Sequence, residues 1–239
     1  MVDIIDQKMG ENKKDLFLVL SGPSGAGKDE TYSGVLKKIP DARRLVTSTS
    51  RPIRDGEKDG VDYNFLTKPV FKAGIERGDF AEYIDYRTVN GEPEYKGTRV
   101  DDLRQAINEK GVLIWRVDPK MAATSKRFFI DKFGIRDGTT LAFKTIVVYI
   151  GVPILRNLKE RKLLRDGEKF NKEEFNDNLR RDWAWWGEYG KRYDLVVENR
   201  DGELETTINI VVDYVEKVRR ESLYPRSVRL VKQLAMSLR

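Results

Sequence analysis

The stretch Leu16-Phe17-Leu18-Val19-Leu20-Ser21-Gly22-Pro23-Ser24-Gly25-Ala26-Gly27-Lys28-Asp29 decides how this chain is read. It begins as a short apolar run, passes through a glycine-rich turn, and opens a helical pattern from about Glu30 to Lys38. Strand, turn and helix in that order let successive backbone N–H groups converge on phosphate oxygens. The positive end of the helix dipole lies behind them, and Lys28 supplies a point charge for β and γ oxygens. Glycine is needed because a Cβ would block the anion's approach. Gly22, Pro23, Ser24, Gly25, Ala26, Gly27, Lys28 and Asp29 are therefore the expected ATP-binding loop. A hydroxyl residue usually follows the lysine of such a loop and binds Mg²⁺; here it is Asp29. A carboxylate is also a hard oxygen ligand, so Asp29 is the expected Mg²⁺ contact, with ATP binding more dependent on the metal. Thr31 is two residues further along the helix, where i and i+2 do not share a face.

Further strand-like runs are 113–117 (LIWRV), 145–150 (TIVVYI) and 195–198 (LVVE). Helical patterns lie between them near 100–109, 120–133, 154–164, 173–187 and 203–218. Strands alternating with helices indicate a mostly parallel sheet covered on both faces. Residues 51–98 break the rhythm with Gly, Asp, Tyr and short β-like pieces around one helix near 69–77, and read as an inserted subdomain. The densely charged stretch 160–182 reads as a mobile helical cap.

Composition narrows the chemistry. Of 239 residues, 39% are hydrophobic and 35% charged, too apolar for disorder and too charged for a membrane protein. No segment nears the roughly 18 to 20 apolar residues that span a bilayer, and the first 15 residues lack a secretion signal's apolar stretch, so the cytoplasm is the expected location. Cysteine and histidine are absent, which removes disulfides, the usual zinc sites and every Ser-His or Cys-His pair. The net charge is +6, but six basic residues and one acid follow Val218, so residues 1–218 carry only +1. A nearly neutral body has no general field for nucleic acid.

The run Thr47-Ser48-Thr49-Ser50-Arg51-Pro52-Ile53-Arg54-Asp55-Gly56-Glu57, continuing to Tyr63-Asn64-Phe65, resembles the nucleoside-monophosphate-binding segment of guanylate kinases. Phe80-Ala81-Glu82 and Tyr95-Lys96-Gly97-Thr98 match that family in order and approximate spacing. With the phosphate loop, the resemblance runs from about 16 to 118 and more loosely to 218. It implies an α/β fold: a P-loop NTPase-type parallel sheet flanked by helices, an inserted mixed α/β nucleoside-monophosphate-binding subdomain and a helical lid. The implied division is an N-terminal arm (1–14), a P-loop core (15–46, 99–156 and 186–218), a GMP-binding subdomain (47–98), a lid (157–185) and a basic amphipathic C-terminal extension (219–239).

The resemblance implies transfer of the γ-phosphoryl group of ATP, with Mg²⁺, to GMP or dGMP. Arg51 and Arg54 can fork onto a monophosphate and Tyr63 can add a phenolic donor. Guanine offers N1–H and N2–H₂ as donors; by position Glu82 takes them, with Thr47 and Thr98 as hydroxyl contacts. The family commonly ends this segment Tyr-Tyr-Gly-Thr, so here either Lys96 replaces a phosphate-binding tyrosine or Tyr95 reaches in from a shifted loop. Where the family usually has two acids two residues apart, this chain has Arg116 and Asp118; Arg116 has no assigned task. Asp118 is read either as ordering Mg²⁺ water or the acceptor, or as a helix cap. Arg161, Arg165, Arg180 and Arg181 are the lid arginines that would place charge on the transferring phosphoryl group. Arg165 aligns best, and Arg180 or Arg181 replaces an arginine that falls on Asn178. Asn199 matches a loop near the ATP base. Trp183, Trp185 and Trp186 are expected to pack on the sheet.

Two other readings stand behind this one. Ribose 1,5-bisphosphate kinases are similar P-loop proteins in which Asp after the loop lysine is known, but they do not combine it with the Arg51, Arg54 and Tyr63 pattern. A guanylate-kinase-like interaction module tends to lose phosphate-loop residues, whereas Lys28 and its glycines are present. At the C-terminus, Leu230, Leu234 and Leu238 share one helical face. That face is expected to pack on the domain or join a second copy of the chain, with an anionic membrane surface as the remaining alternative and no integral membrane contact.

Overall fold

The computed structural model describes residues 13–87, 93–106, 108–153 and 155–220. The N-terminal arm as far as residue 12, Asn90, Ile154 and the amphipathic stretch with Leu230, Leu234 and Leu238 lie outside the described residues.

Strand β1 (Leu16–Ser21) is buried on every residue, because its alternate side chains enter opposite faces of a sheet covered on both sides. The loop leads into α1 (Lys28–Lys38) and then β2 (Ala42–Arg44), a three-residue edge strand whose polar ARR sequence carried no strand signal. The inserted subdomain holds β3 (Ser48–Thr49), β4 (Asn64–Phe65), α2 (Lys68–Arg77), β5 (Phe80–Arg87) and β6 (Pro93–Arg99). Helix α3 (Val100–Gln105), β7 (Val112–Arg116), α4 (Pro119–Phe143) and β8 (Thr145–Gly151) return the chain to the core. The lid helices α5 (Leu155–Asp166) and α6 (Lys172–Tyr189) follow, then β9 (Leu195–Glu198) and α7 (Leu204–Arg220).

The main sheet has the order β2-β7-β1-β8-β9, and every pairing is parallel. On one face Leu16, Leu18, Leu20, Ile114 and Val148 pack beneath Val35 of α1 and Val211 and Val215 of α7. On the other, Phe17, Val19 and Trp115 pack against Met121, Phe129 and Leu141 of α4. Each fully buried side chain of this kind is worth about 1.5–3 kcal/mol, so two apolar layers fix β1 centrally and set its exit at the carboxyl edge. The subdomain forms a second sheet, β4-β3-β6-β5, of mixed direction.

Helix α4 departs from expectation by continuing past Phe133. Gly134 sits at φ 79°, ψ 178°, and a Cβ on Gly138 would lie 2.2 Å from the Phe129 carbonyl oxygen. The chain therefore turns at Gly134 and folds back on the first half of the helix, with a glycine at the contact.

Helix α7 runs through Arg219 and Arg220, so the start of the expected C-terminal extension belongs to the core. Arg219 is 2% exposed; it forks onto Asp41 at 2.5 and 3.0 Å and donates to the Lys14 carbonyl. Only one of the two carboxylate partners, Glu216, is itself well covered. Arg219→Ala is expected to destabilise the fold by about 2 kcal/mol, read as a lower urea midpoint with an unchanged slope.

Candidate active site

The parallel register brings the site together. Leu20 pairs with Arg116 and Ser21 with Tyr149, so the carboxyl ends of β7 and β8 flank the loop leaving β1. Ligands bind at this edge in such sheets. Gly22 (φ 147°) shows why glycine is required: a Cβ would lie 2.0 Å from the Ile150 carbonyl oxygen. Gly27 (φ 84°) leads into α1, and its missing Cβ leaves room for Asn199.

Asn199 is 4% exposed; its Nδ2 donates to the Ala26 carbonyl at 2.9 Å and its Oδ1 accepts from Thr207. Its side chain clamps the phosphate loop from behind, at the start of the loop that the resemblance sets near the ATP base. Lys28 Nζ donates to the Pro23 carbonyl at 2.7 Å. Burial, followed by the charge of Arg116, lowers its pKa to about 7; Arg165 and Lys96 act in the same sense and Asp182 opposes them. Cations from the loop, β7, the lid and the subdomain thus converge on one space.

Asp29 is ion-paired to Arg116, whose Nη2 donates to the Tyr63 hydroxyl at 2.8 Å. The arginine without an assigned task therefore joins the donor loop to the acceptor subdomain. Thr31 turns its hydroxyl inward to the Gly27 carbonyl and is buried. Among the described residues no three acidic side chains gather around one point. Mg²⁺ is commonly held by one or two carboxylates and the substrate's phosphates, and Asp29 fits as the protein's share of such a set.

In the subdomain, Arg51 forks onto Glu57 at 2.5 and 2.7 Å and lies over the rings of Tyr63 and Phe65. Glu57, held down to about 2 by the Arg51 hydrogen bond, also accepts from the Arg54 backbone N–H. It fixes the arginine loop, a role that the Gly-Glu pair alone did not reveal. Arg54 is exposed, and Thr47 lines the cavity beside Tyr63. Glu82 accepts from Thr98 Oγ1 at 2.6 Å, and Thr98 accepts in turn from Trp115 Nε1 at 2.9 Å. Burial pushes Glu82 up to about 7, against the Thr98 hydrogen bond, with Asp118 adding to the rise. Ser48 Oγ, unremarked in the sequence, is buried without a hydrogen-bond partner among the described residues.

Sequence leaves either Tyr95 or Lys96 as the residue that reaches the acceptor phosphate, and Tyr95 is turned away. It packs instead between Phe71 and the strand, with ring centroids 5.5 Å apart and 9% exposure. Lys96 takes the inward place, its ammonium 4.7 Å from the Tyr63 ring centre. Asp118 caps α4 by accepting from Met121 N at 3.0 Å, and its charge also reaches Glu82 and Asp182.

The lid lies on the loop: Leu158 and Phe175 belong to the core, and Lys162 is buried. Arg161 donates to Asn199 O and Asp201, so it ties α5 to the clamp loop. Arg165 pairs with Asp166 while its charge reaches Lys28. Arg180 pairs with Asp177 at the surface, and Arg181 bonds Asn178, covers Trp185 and acts by its charge on Asp182. Of the tryptophans, Trp186 packs against Tyr149 and Tyr193, whereas Trp183 is 64% exposed. The lid residue that sequence reasoning missed is Asp182, pushed up to about 6 by burial and drawn back by Arg181 and Lys28. Its signal was an acid on the stripe Phe175, Leu179, Asp182, Trp186, where helical spacing calls for an apolar side chain.

Comparison with known proteins identifies the family and the fold. The guanylate kinase family profile matches residues 14–218. The guanylate kinase of Chlorobium luteolum is 31% identical over 196 residues, which is 82% of this chain and 88% of that protein. That of Thermotoga maritima is 30% identical over 207 residues, covering 86% and 88%. The crystal structure of guanylate kinase from Anaplasma phagocytophilum has the same fold, with a TM-score of 0.58 at 19% identity over 89% of this chain and 90% of that one. A phosphate loop facing an acceptor subdomain across one sheet edge, a profile match over nearly the whole described chain, and relatives at this identity lead to one assignment: the chain belongs to the guanylate kinase family.

Proposed function

We propose that this chain transfers the γ-phosphoryl group of ATP, bound with Mg²⁺, to GMP or dGMP, giving ADP and GDP or dGDP. The observation that carries the reading is a cavity of about 260 Å³ at the sheet edge, lined jointly by Asp29 and Tyr32 of the loop helix, Arg116 of β7, and Thr47, Glu57 and Tyr63 of the subdomain. Donor and acceptor elements therefore share one space. The phosphorus–oxygen bond to the ADP leaving group breaks as a GMP phosphate oxygen bonds to the same phosphorus.

Each side chain has a task in that exchange. The loop amides and Lys28 bind the β and γ oxygens, and an arriving triphosphate restores the lysine's charge. Arg51, aligned by Glu57 and two aromatic rings, binds the acceptor phosphate with Tyr63 and Arg54. Glu82 accepts from guanine while Thr98 orients it. Arg165 brings lid charge toward Lys28, and closure excludes water, so positioning and fixed charge do most of the work. Asp29 would hold Mg²⁺, which supplies screening of the β and γ oxygens. Among the described residues no helix is long and apolar enough to cross a membrane. A kinase that draws on ATP and GMP pools is assigned to the cytoplasm and to purine nucleotide metabolism.

The test is ADP release with GMP, dGMP, AMP, UMP or ribose 1,5-bisphosphate as acceptor. Stimulation confined to the guanine nucleotides is expected. A response to ribose 1,5-bisphosphate alone would replace this reading with that of a sugar-phosphate kinase, and inability to bind ATP at all would point to an interaction module.

A further inference from the structure

Arg116 occupies a position that the phosphoryl-transfer reading leaves without a task. It ends β7 level with Leu20, one residue before β1 gives way to the loop, so topology holds its backbone at the mouth of the phosphate site. Its side chain is 27% exposed and reaches both ways, to Asp29 on the first turn of α1 and to the Tyr63 hydroxyl, while passing 5.8 Å from the Tyr32 ring centre. Both polar partners are groups that the site offers to the nucleotides' phosphate region. A guanidinium fork that fits a carboxylate also fits a phosphate. Lys28, Lys96 and Arg165 bring further positive charge to the same space, where like charges repel until an anion enters.

We infer that Arg116 is a phosphate-contacting residue that spans the donor and acceptor sites, with Asp29 and the Tyr63 hydroxyl holding its guanidinium in place until phosphate oxygens of the two nucleotides take over. This rests on the kinase reading above. In the nucleotide-free site Asp29 keeps the guanidinium aimed at the cavity, and once both nucleotides are present Asp29 is released for the metal. The added cation then sits where negative charge accumulates as the phosphoryl group moves.

The experiment pairs steady-state kinetics with calorimetry, using ATP, GMP and a dinucleotide that joins adenosine and guanosine through five phosphates. Arg116→Ala is expected to lower kcat about 100-fold and to weaken the linked dinucleotide by a similar factor, with ATP and GMP taken singly each changing less than about tenfold. Arg116→Gln keeps a polar side chain without the charge or the guanidinium's reach and should behave like Arg116→Ala; Arg116→Lys should recover part of kcat. In an Asp29→Asn background, Arg116→Ala should still cost at least about tenfold, because the target is phosphate and not Asp29. The proposal is overturned if folded Arg116→Ala and Arg116→Gln keep kcat within about threefold of wild type, or if the double variant is no worse than Asp29→Asn alone. A wild-type chain without GMP-dependent ADP release would overturn the kinase reading itself, and this proposal with it.

Discussion

Lys28→Ala is expected to lower kcat for GMP-dependent ADP release about 10³-fold while leaving the fold more stable at neutral pH. On the proposed mechanism, the first effect follows from removing a fixed charge on the oxygens that gain negative character. The second follows from linkage. Burial, reinforced by the charge of Arg116, lowers the lysine from 10.5 to about 7 in the folded state. A base whose folded pKa lies below its unfolded value opposes folding most below the folded pKa, and the penalty fades as pH rises toward 10.5. Removing Lys28 should therefore raise the unfolding midpoint most at pH 6 to 7 and little near pH 10. Activity and stability moving in opposite directions would separate loss of a catalytic charge from misfolding. A variant that retained more than a tenth of wild-type kcat would contradict the role given to Lys28. Calorimetry of ATP binding at pH 8 gives a companion result: the phosphates should draw a proton onto the wild-type lysine, and the variant should take up none.

Much of the site was legible because the signals were local. An apolar hexapeptide ending in Gly-Pro-Ser-Gly-Ala-Gly-Lys marks strand, loop and helix without reference to anything distant. The helix after Thr67 is equally local, with a side-chain cap at its start and Gly78 in the left-handed conformation at its end. What escaped depended on non-local placement. Strand β2 is polar and survives because β7 pairs with it. Arg116 acquires its task only because β7 lies beside β1 in parallel register.

The choice between Tyr95 and Lys96 was likewise open until β6 was known to be a strand. Side chains two apart share a face, and Thr98 of β6 meets Glu82. Lys96 therefore points with Thr98 into the site, and Tyr95 points away, against Phe71. Asn199 shows what position by resemblance leaves open: its side chain is taken up by the Ala26 carbonyl, a contact that only the fold reveals. Asp118 is seen as the cap of α4, and its charge also reaches Glu82.

Glu82→Gln should separate base recognition from the rest of the reaction. The Thr98 hydroxyl can donate to a glutamine carbonyl as it does to Glu82 Oε1, so the side chain keeps its place. What changes is the face offered to guanine: an amide N–H₂ would oppose the N1–H and N2–H₂ donors, leaving buried donors unpaired. Such a mismatch costs about 10³-fold or more in kcat/KM, and the loss should fall on GMP while the affinity for ATP stays within about threefold. In the wild type, burial raises Glu82 from 4.5 to about 7. Because the charged form is the acceptor, GMP affinity should strengthen as pH rises through 7 and level off above 8, a dependence that Glu82→Gln abolishes. Stability runs the other way. A carboxyl whose folded pKa is raised loses stability between its unfolded value and about 7, and the deficit persists at higher pH. The glutamine variant should therefore be more stable than wild type above pH 7, by about 1–3 kcal/mol, and should match it near pH 4. A variant that used GMP normally would move guanine recognition away from Glu82. One that lost GMP and stability together would show Glu82 to be a structural partner of Thr98, with its charge satisfied within the fold.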